Sequence, residues 1–175
     1  MLYGAPATRR RDAQRNRAAI LEAASEVLTG SGEIALMPEI ARRAGVGQAT
    51  LYRHFADRHT LLAGVIAYQL ERLEAAAEQT DFRRLLSETL HSLTAHPGLV
   101  RLAGRLDPAM QVRYLRRLVA AFAVPLCRAR ERGEVRPDLE LEDLGLLFAM
   151  VQGAVEKNGD PGRSIAIILD GVFRD

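Results

Sequence analysis

Apolar residues recur at every third or fourth position along nearly the whole chain, and this spacing constrains the fold more than any other feature. Such a period collects apolar side chains on one face of an α-helix, whereas a half-buried strand would show strict alternation. Ala, Leu, Arg and Glu, which favour helices, dominate the composition, and only 5% of residues are aromatic. The sequence therefore predicts an all-α fold.

Glycine, proline and polar residues divide the periodic segments into separate helices. We predict helices at 12–29, 38–44, 48–55 and 58–79, and then at 81–95, 98–105, 108–132, 140–157 and 161–173. Asp12 and Asp57 are suited to cap the helices that follow them, and Gly45 can adopt the left-handed conformation that ends a helix. Pro125 is expected to kink the longest C-terminal helix.

The charges are distributed unevenly, although the net charge is only +2. A basic stretch near the N-terminus is opposed there only by Asp12, and it contains Arg9, Arg10, Arg11, Arg15 and Arg17. A basic arm of this kind can be a solvated tail, a targeting signal or an arm that binds phosphate groups. The arm alone does not choose among these roles.

Several classes of protein are disfavoured by what the sequence lacks. Cys127 is the only cysteine, so no intramolecular disulfide can form, and we expect it to be a small buried residue. No apolar stretch approaches the roughly 18 residues of a membrane span, and the segment 1–8 lacks the apolar core of a signal peptide. We therefore expect a cytoplasmic protein with no membrane partner.

No catalytic or metal-binding arrangement is evident in the sequence. His54 and His59 are five positions apart, as are His91 and His96, whereas metal-binding pairs on a helix are spaced by three or four. There is also no glycine-rich phosphate loop and no nucleophile elbow. We expect no metal site, no cofactor and no enzymatic activity.

The segment from Pro38 to Phe55 has the parts of a helix-turn-helix. Two short helices meet at Gly45, and small alanines in the first helix allow the second to approach closely. In the second helix Leu51 and Phe55 are spaced to face the core. The outer face then carries residues that can contact bases or phosphates, namely Gln48, Ala49, Thr50, Tyr52, Arg53 and His54.

The residues around this motif resemble the TetR family of bacterial one-component repressors. The run Glu-Ile-Ala-Arg-Arg-Ala-Gly-Val-Gly-Gln-Ala-Thr-Leu-Tyr-Arg-His-Phe at 39–55 carries the resemblance, together with Asp57-Arg58, Leu61-Leu62 and the segment 20–24 of the first helix. The resemblance implies an N-terminal DNA-binding domain of three helices and a C-terminal helical domain that dimerises and often binds a small effector. We place these domains at 1–57 and 58–175.

The same resemblance implies roles for individual residues. It assigns phosphate contacts to Thr50, Tyr52, His54 and Arg58, and base contacts to Gln48, Ala49 and Arg53. Two departures from the family pattern are expected to weaken contacts with the DNA backbone, because Leu36 and Met37 replace a usual Thr or Ser, and Gly47 replaces a usual Ser. The arm residues could compensate by reaching a phosphate or the minor groove, and they are Arg9, Arg10 and Arg11.

The last two predicted helices are apolar enough to form an interface as well as a core. Their stripes suit a four-helix interface between two copies, for which we expect Leu144, Leu147, Phe148, Val151, Val155, Ile165, Ile168, Leu169 and Val172. The alternative is that these stripes form only the core of one chain. The preceding helices could enclose a small, apolar effector, with a lining of Tyr68, His91, Tyr114, Phe122, Met150 and Gln152.

The combined pattern predicts a sequence-specific, DNA-binding transcriptional regulator. We expect a homodimeric repressor that binds a palindromic operator in double-stranded DNA and is released by a small-molecule effector. The alternative is a helical protein-interaction module that has lost DNA binding, and the missing caps motivate it. A small helical enzyme is a third hypothesis, which no catalytic arrangement supports.

Overall fold

The computed structural model describes residues 6–30, 37–157 and 159–174, with side chains at 10–27, 37–157 and 159–174. This part of the chain forms ten helices, and the all-α prediction is confirmed. They are α1 (Pro6–Gly30), α2 (Met37–Arg43), α3 (Gln48–His54), α4 (Arg58–Ala77), α5 (Phe82–Ala95), α6 (Pro97–Ala103), α7 (Pro108–Ala120), α8 (Ala123–Glu131), α9 (Asp143–Glu156) and α10 (Pro161–Val172). None of the described helices is long and apolar enough to cross a lipid bilayer.

The chain forms two compact units, of which the first ends at Tyr68 and the second begins at Gln69. Helix α4 therefore contributes residues to both units. The division predicted at 57/58 follows the expected roles of the segments, whereas the boundary at Tyr68 follows packing. The first turns of α4 belong with the first unit because Gly64 packs against Phe55 and Leu21 there.

In the first unit α1, α2 and α3 pack around a small core. Ile20 of α1, Ile40 of α2 and Leu51 of α3 are almost completely buried. Phe55, which follows α3, packs its ring so closely on Gly64 that a Cβ atom there would lie 2.7 Å from a ring carbon. A side chain at position 64 would displace the ring, so glycine at this position allows Phe55 at the end of α3 to pack closely on α4.

The ends of these helices follow two of three predicted signals. The Thr60 backbone N–H donates to Asp57 Oδ1 at 2.7 Å, so Asp57 caps α4 as predicted. Gly45 has a φ of 65°, the left-handed conformation that was expected to end α2. The prediction for Asp12 is wrong, because α1 begins at Pro6 and Asp12 lies inside it. Proline suits a first helical turn because its missing N–H would have no partner there.

The second unit is organised around α5, which packs against α8, α9 and α10. Four phenylalanines from different segments meet in its core. The ring centroid of Phe82 lies 6.2 Å from that of Phe122 and 5.6 Å from that of Phe173, and Phe122 lies 5.6 Å from Phe148. Aromatic contacts of this kind contribute about 0.5–1.5 kcal/mol each beyond the area they bury. They tie the last helices of the chain to α5.

The segment 108–132 forms two helices, so the prediction of one kinked helix is wrong. α7 ends at Ala120 and α8 begins at Ala123, which places Pro125 in the first turn of α8. The backbone N–H groups of a first turn have no partner within the helix, so proline costs little there. The chain accommodates Pro125 by ending one helix and starting another.

Cys127 is exposed on α8, so the prediction of a buried cysteine is also wrong. Its Sγ lies 3.6 Å from Glu131 Oε1, one turn further along the helix. The neighbouring Leu126 and Ala129 are buried. They face the core, and Cys127 therefore occupies the outer face of α8.

Candidate nucleic-acid interface

Helices α2 and α3 are joined by a tight turn at residues 44–47. The Val46 N–H donates to Ala41 O at 3.0 Å, which closes the turn onto the last residues of α2. On the other side the Thr50 N–H donates to Gly47 O at 2.9 Å and begins α3. Gly47 provides no side-chain cap, as its missing oxygen predicts. The result is two short helices joined by a tight turn, the arrangement of a helix-turn-helix.

Helix α3 presents one face to the core and the other to solvent. Leu51 and Phe55 are buried on the inner side, with relative exposures of 0% and 1%. Tyr52 is 47% exposed, which confirms its predicted accessibility. The other predicted contacts on α3 are also reachable, since Gln48, Ala49 and Arg53 are exposed and Thr50 and His54 are half-buried.

The outer face of α3 is polar and carries no carboxylate. Arg53 Nη2 donates to Thr50 Oγ1 at 3.1 Å, and this bond holds the guanidinium along the helix. Its remaining N–H groups stay free to donate, since a guanidinium has five donors. An approaching phosphate or base edge therefore meets donors on α3 and no negative side chain.

A cation that the sequence did not assign lies at the end of α3. Arg17 of α1 places its guanidinium carbon 4.8 Å from the centroid of the Phe55 ring, a cation–π contact that restrains the side chain. Burial lowers the pKa of the His54 imidazole, and the charges of Arg17 and Arg53 lower it further. Arg17 therefore belongs to the same cationic region as His54 and Arg53. The sequence shows Arg17 only as part of the basic stretch, because its contact with Phe55 depends on tertiary packing.

On α2 one carboxylate holds both arginines. Arg42 Nε and Arg43 Nε each donate to Glu39 at 2.8 Å, and Arg42 Nη2 donates to it at 2.7 Å. The hydrogen bonds from Arg42 and then Arg43 lower the pKa of Glu39 to about 2. Glu39 therefore stays ionised and offsets part of both positive charges. This surface attracts a polyanion less than the two arginines alone would suggest.

The remaining predicted contacts lie at helix starts. Arg10 and Arg11 are exposed within the first turns of α1, so this part of the arm is helical. The side chain of Arg9 and the whole of Leu36 lie outside the described residues. Arg58 is exposed at the first residue of α4. It follows Asp57, whose pKa is lowered by the hydrogen bonds from Thr60.

The residues predicted to line an effector pocket have very different surroundings. Tyr68 belongs to the first unit, where its hydroxyl donates to Glu22 Oε1 at 3.0 Å. In the second unit Phe122 is fully buried in the core, whereas Met150 is 60% exposed. The other three are an exposed His91, a half-buried Tyr114 and a half-buried Gln152, whose amide donates to Glu156 at 3.1 Å. Phe122, Met150 and His91 cannot line one enclosed cavity as they stand.

An open groove of about 580 Å³ lies beside α5. It contains none of the residues predicted for the effector, and its lining consists of Asp81, Arg83, Arg84, Ser87, Glu88 and Leu169. Most of these side chains are charged. The groove therefore does not match the apolar ligand that the sequence led us to expect. No group of three or more metal-ligating side chains is found in the part of the chain that the structure describes.

Most of the residues predicted for the dimer interface lie in the core of one chain. Six are buried there, namely Leu144, Phe148, Val151, Ile165, Ile168 and Val172. The other three, Leu147, Val155 and Leu169, are half-buried. The large exposed apolar residues of the same helices are Leu146, Met150 and Ile167, with 65%, 60% and 53% of their surface accessible. Both faces of α9 are thus apolar, and the sequence pattern singled out the inner one.

The N-terminal sequence matches a known family. Residues 20–65, which include the whole helix-turn-helix, match the family described as bacterial regulatory proteins, tetR family. Among solved structures, the TetR transcription regulatory protein from Mycobacterium vanbaalenii is similar over 94% of this chain and 99% of its own, with 28% identity and a TM-score of 0.71. Residues 20–65 thus match the TetR family, and over nearly its whole length the chain is similar to a TetR-family regulator.

Two further TetR-family regulators share the fold. The regulator from Streptomyces coelicolor is 24% identical and matches over 90% of this chain and 98% of its own, with a TM-score of 0.68. The regulator from Rhodococcus sp. RHA1 is 21% identical over 90% and 94%, with a TM-score of 0.64. No curated protein sequence matches the chain.

The family match of residues 20–65 and the similarity to TetR-family regulators indicate that the chain is a DNA-binding transcriptional regulator. Regulators of this family bind DNA and typically dimerise and bind small-molecule effectors, and they are generally transcription factors and not enzymes. The comparisons give no support to the alternative of a protein-interaction module that has lost DNA binding.

Proposed function

We propose that the chain is a homodimeric repressor that binds a palindromic operator and leaves it when a small effector binds. The observation that carries this proposal is the outer face of α3, which exposes Gln48, Tyr52 and Arg53 while Leu51 fixes the helix to the core. A short helix held in this way can enter the major groove as a rigid body. A bound dimer would then repress by covering its operator. It would act at the bacterial chromosome, in the cytoplasm, with no enzymatic step.

The side chains of α3 divide into two chemical groups in this proposal. Gln48 can pair with adenine and Arg53 with guanine, each worth roughly 1–3 kcal/mol of discrimination between bases, and Ala49 can contact a thymine methyl group. The hydroxyl and ring N–H groups of Thr50, Tyr52 and His54 suit phosphate oxygens. The first group would select the sequence, and the second would fix the position of the helix on it.

Cations around α3 would add phosphate contacts that do not depend on sequence. We propose Arg58, Arg17, Arg10 and Arg11 for this role, because all four are exposed. Arg17 is the best placed of them, since its stack on Phe55 fixes it beside His54. Each phosphate that such a residue neutralises releases counterions, so binding should weaken as salt rises.

A palindromic operator requires two heads related by symmetry, and we propose the outer face of α9 and α10 as the dimer interface. Leu146 and Met150 of α9 and Ile167 of α10 are exposed, although they are large and apolar. Two copies of this face would form a four-helix interface and remove all three from water. The nine residues predicted from sequence then serve mainly to hold α9 and α10 in place behind it.

We propose a small apolar effector that favours a spacing of the two heads unsuited to DNA. A coupling free energy of about 1–3 kcal/mol between the two sites would reduce operator binding by roughly 5–150-fold. A panel of apolar compounds, screened first by thermal shift and then by release of labelled operator, tests this part. Compounds that stabilise the protein without releasing DNA would contradict it.

The function is tested by selection from random duplex DNA at moderate salt. The purified chain should enrich a palindrome whose half-sites lie about one helical turn apart, or slightly more. Retention of DNA without a common sequence would mean that phosphate contacts alone drive binding. No retention by a folded dimer, in the absence of added effector, would contradict the proposal.

Tyr52→Ala tests the docking of α3. We expect operator binding to fall at least about tenfold because the phenol and its contact with the DNA backbone are lost together. Tyr52→Phe is the matched control and should lose only the hydroxyl contribution, about fivefold. Fluorescence anisotropy gives both affinities, and light scattering shows whether the dimer is intact. Binding of Tyr52→Ala equal to that of the wild type would rule out this docking.

A further inference from the structure

The exposed face of α10 carries opposite charges on either side of one apolar residue. Ile167 is 53% exposed, Arg163 precedes it by four positions and Asp170 follows it by three. Both charged residues are exposed. Residues three or four positions apart lie on the same side of a helix, so the three form one stripe. The opposite side of α10 is buried through Ile165 and Ile168.

Neither charge has an opposite partner among the described residues of its own chain. The ion pairs of the described residues involve other side chains, such as Arg117 with Glu74 at 2.6 Å and Arg130 with Glu140 at 2.8 Å. Arg163 and Asp170 form none with any described residue. Their side chains are therefore available to another molecule.

Helix α9 repeats this arrangement over a longer distance. Leu146 and Met150 are the exposed apolar residues in its middle. Gly153 extends the stripe, and a Cβ atom there would meet nothing within 4 Å, so a neighbouring helix could approach closely. Glu142 precedes α9 and Lys157 follows it, and both are exposed. Each outer face thus has an acid at one end and a base at the other.

An antiparallel copy turns these patterns into ion pairs. If a two-fold axis passes beside Ile167, Arg163 lies about 6 Å from the axis, measured along the helix. Asp170 of the second copy then lies about 4.5 Å from the axis in the same direction. The two side chains then face each other, and the symmetry repeats the pair. The same reasoning on α9, with the axis beside Ala149 and Met150, brings Glu142 opposite Lys157.

One axis serves both helices. Met150 lies seven positions before Lys157, and Ile167 lies seven positions after Asp160. Helices α9 and α10 pack on each other and are joined by a short connection, so they run antiparallel. Their apolar centres therefore lie at about the same height along the pair. A single two-fold axis at that height places both centres at the middle of the interface.

We propose that two copies of the chain recognise each other in this register, α9 against α9 and α10 against α10, with Arg163 of each copy paired to Asp170 of the other. The proposal rests on the dimer proposed above and adds what selects the partner. The apolar residues supply most of the affinity. The charges fix the register, because a shifted or parallel copy would oppose like charges or leave them against apolar side chains.

Charge reversal tests the register. In a homodimer of Arg163→Asp, two acidic pairs replace the ion pairs, and in a homodimer of Asp170→Arg, two basic pairs replace them. Each variant should raise the dimer dissociation constant about tenfold or more, measured by sedimentation equilibrium. Arg101→Asp and Glu78→Arg are the matched controls, since they reverse exposed charges outside this face, and they should leave the constant unchanged.

Mixing the two weakened variants gives the sharper result. A heterodimer of Arg163→Asp with Asp170→Arg has two attractive pairs, so native mass spectrometry should show the heterodimer in excess over both homodimers. The chain with both changes, Arg163→Asp and Asp170→Arg, should again form homodimers about as tightly as the wild type.

Each outcome bears on a different part of the proposal. If the wild type is dimeric and neither single variant weakens it, the register is wrong and the dimer stands. If the single variants weaken the dimer but the mixture does not restore it, the charges matter in some other pairing, such as α9 against α10, and the register is again wrong. A wild-type chain that is monomeric at micromolar concentration would overturn both the register and the proposed dimer.

Discussion

The outer faces of α3 and α10 differ in kind, although both helices bury their opposite face almost completely. The face of α3 offers an amide, a phenol and a guanidinium, and α3 contains no carboxylate. The face of α10 offers Ile167 between Arg163 and Asp170. The first arrangement suits a polyanion, which presents only negative charge. The second suits a surface that presents both positive and negative charges, as the same face of a second copy does. In both helices the buried side stabilises the fold, and the exposed side is the one proposed to bind a partner.

The largest effect on the proposed self-association surface is expected from a charge in the apolar part of α9. Met150→Asp places a carboxylate where we propose that the two copies meet, and an unpaired charge at a closed interface is expensive. We expect the dimer dissociation constant to rise more than about 100-fold, and operator binding to fall with it because two heads are needed. Sedimentation velocity at micromolar concentration should show monomers.

Val124→Asp is the control for this change, since Val124 is 55% exposed on α8 and outside the proposed interface. The control should leave the dimer intact. If Val124→Asp dissociates the dimer and Met150→Asp does not, the interface lies on a different face of the second unit.

Arg17→Ala tests the cationic region beside α3. The variant removes one proposed phosphate contact, so operator affinity should fall about three- to tenfold and the salt dependence of binding should decrease by about one unit on a log–log plot. Anisotropy titrations at several salt concentrations measure both quantities. Arg113→Ala, an exposed arginine of α7, should change neither. An unchanged salt slope for Arg17→Ala would remove Arg17 from the interface.

Acidity should affect the α3 region through His54. Burial, and then the charges of Arg17 and Arg53, lower the pKa of this imidazole below its usual 6.5. The unfolded chain therefore binds more protons at this residue than the folded chain as the pH falls through 6.5, so folding stability should decrease on that side and return as the pH rises. Urea denaturation from about pH 7.5 to about pH 5 measures the effect. His54→Gln should show a smaller decrease, and an equal decrease would contradict this origin.

The smallest expected effect is at the start of α3. Gly47 has the extended backbone of an N-cap, and a Cβ atom there would meet nothing within 4 Å. Gly47→Ser should therefore add a capping hydrogen bond and raise the free energy of unfolding by about a few tenths of a kcal/mol. Gly47→Ala lacks the oxygen and is the control. Equal thermal melting points for the two variants would show that the hydroxyl forms no cap.

The first unit could be predicted from sequence because its signals are local. Gly45 marks the turn by its conformational freedom, Asp57 caps the helix that it precedes, and Leu51 and Phe55 define the buried side of α3 by their spacing. Arg17 could not be assigned in the same way. Its position beside α3 follows from tertiary packing between residues far apart in sequence.

The second unit was harder to predict because α9 is apolar on two sides. Leu144 and Phe148 form one stripe and Leu146 and Met150 another, and the helical period fits both. Only the packing of α9 against α5 decides that the first stripe is the core. Pro125 shows the same limit, since a proline predicts a disturbed helix but does not say whether the chain bends or starts a new one.

The exposed thiol of Cys127 gives each chain a single point of chemical attachment. A maleimide dye would label one known position on α8 without any change to the sequence. Two pools of the natural chain, labelled separately with donor and acceptor dyes, would report the exchange of chains between dimers by energy transfer. The lifetime of the proposed dimer, with and without DNA, would then be directly measurable.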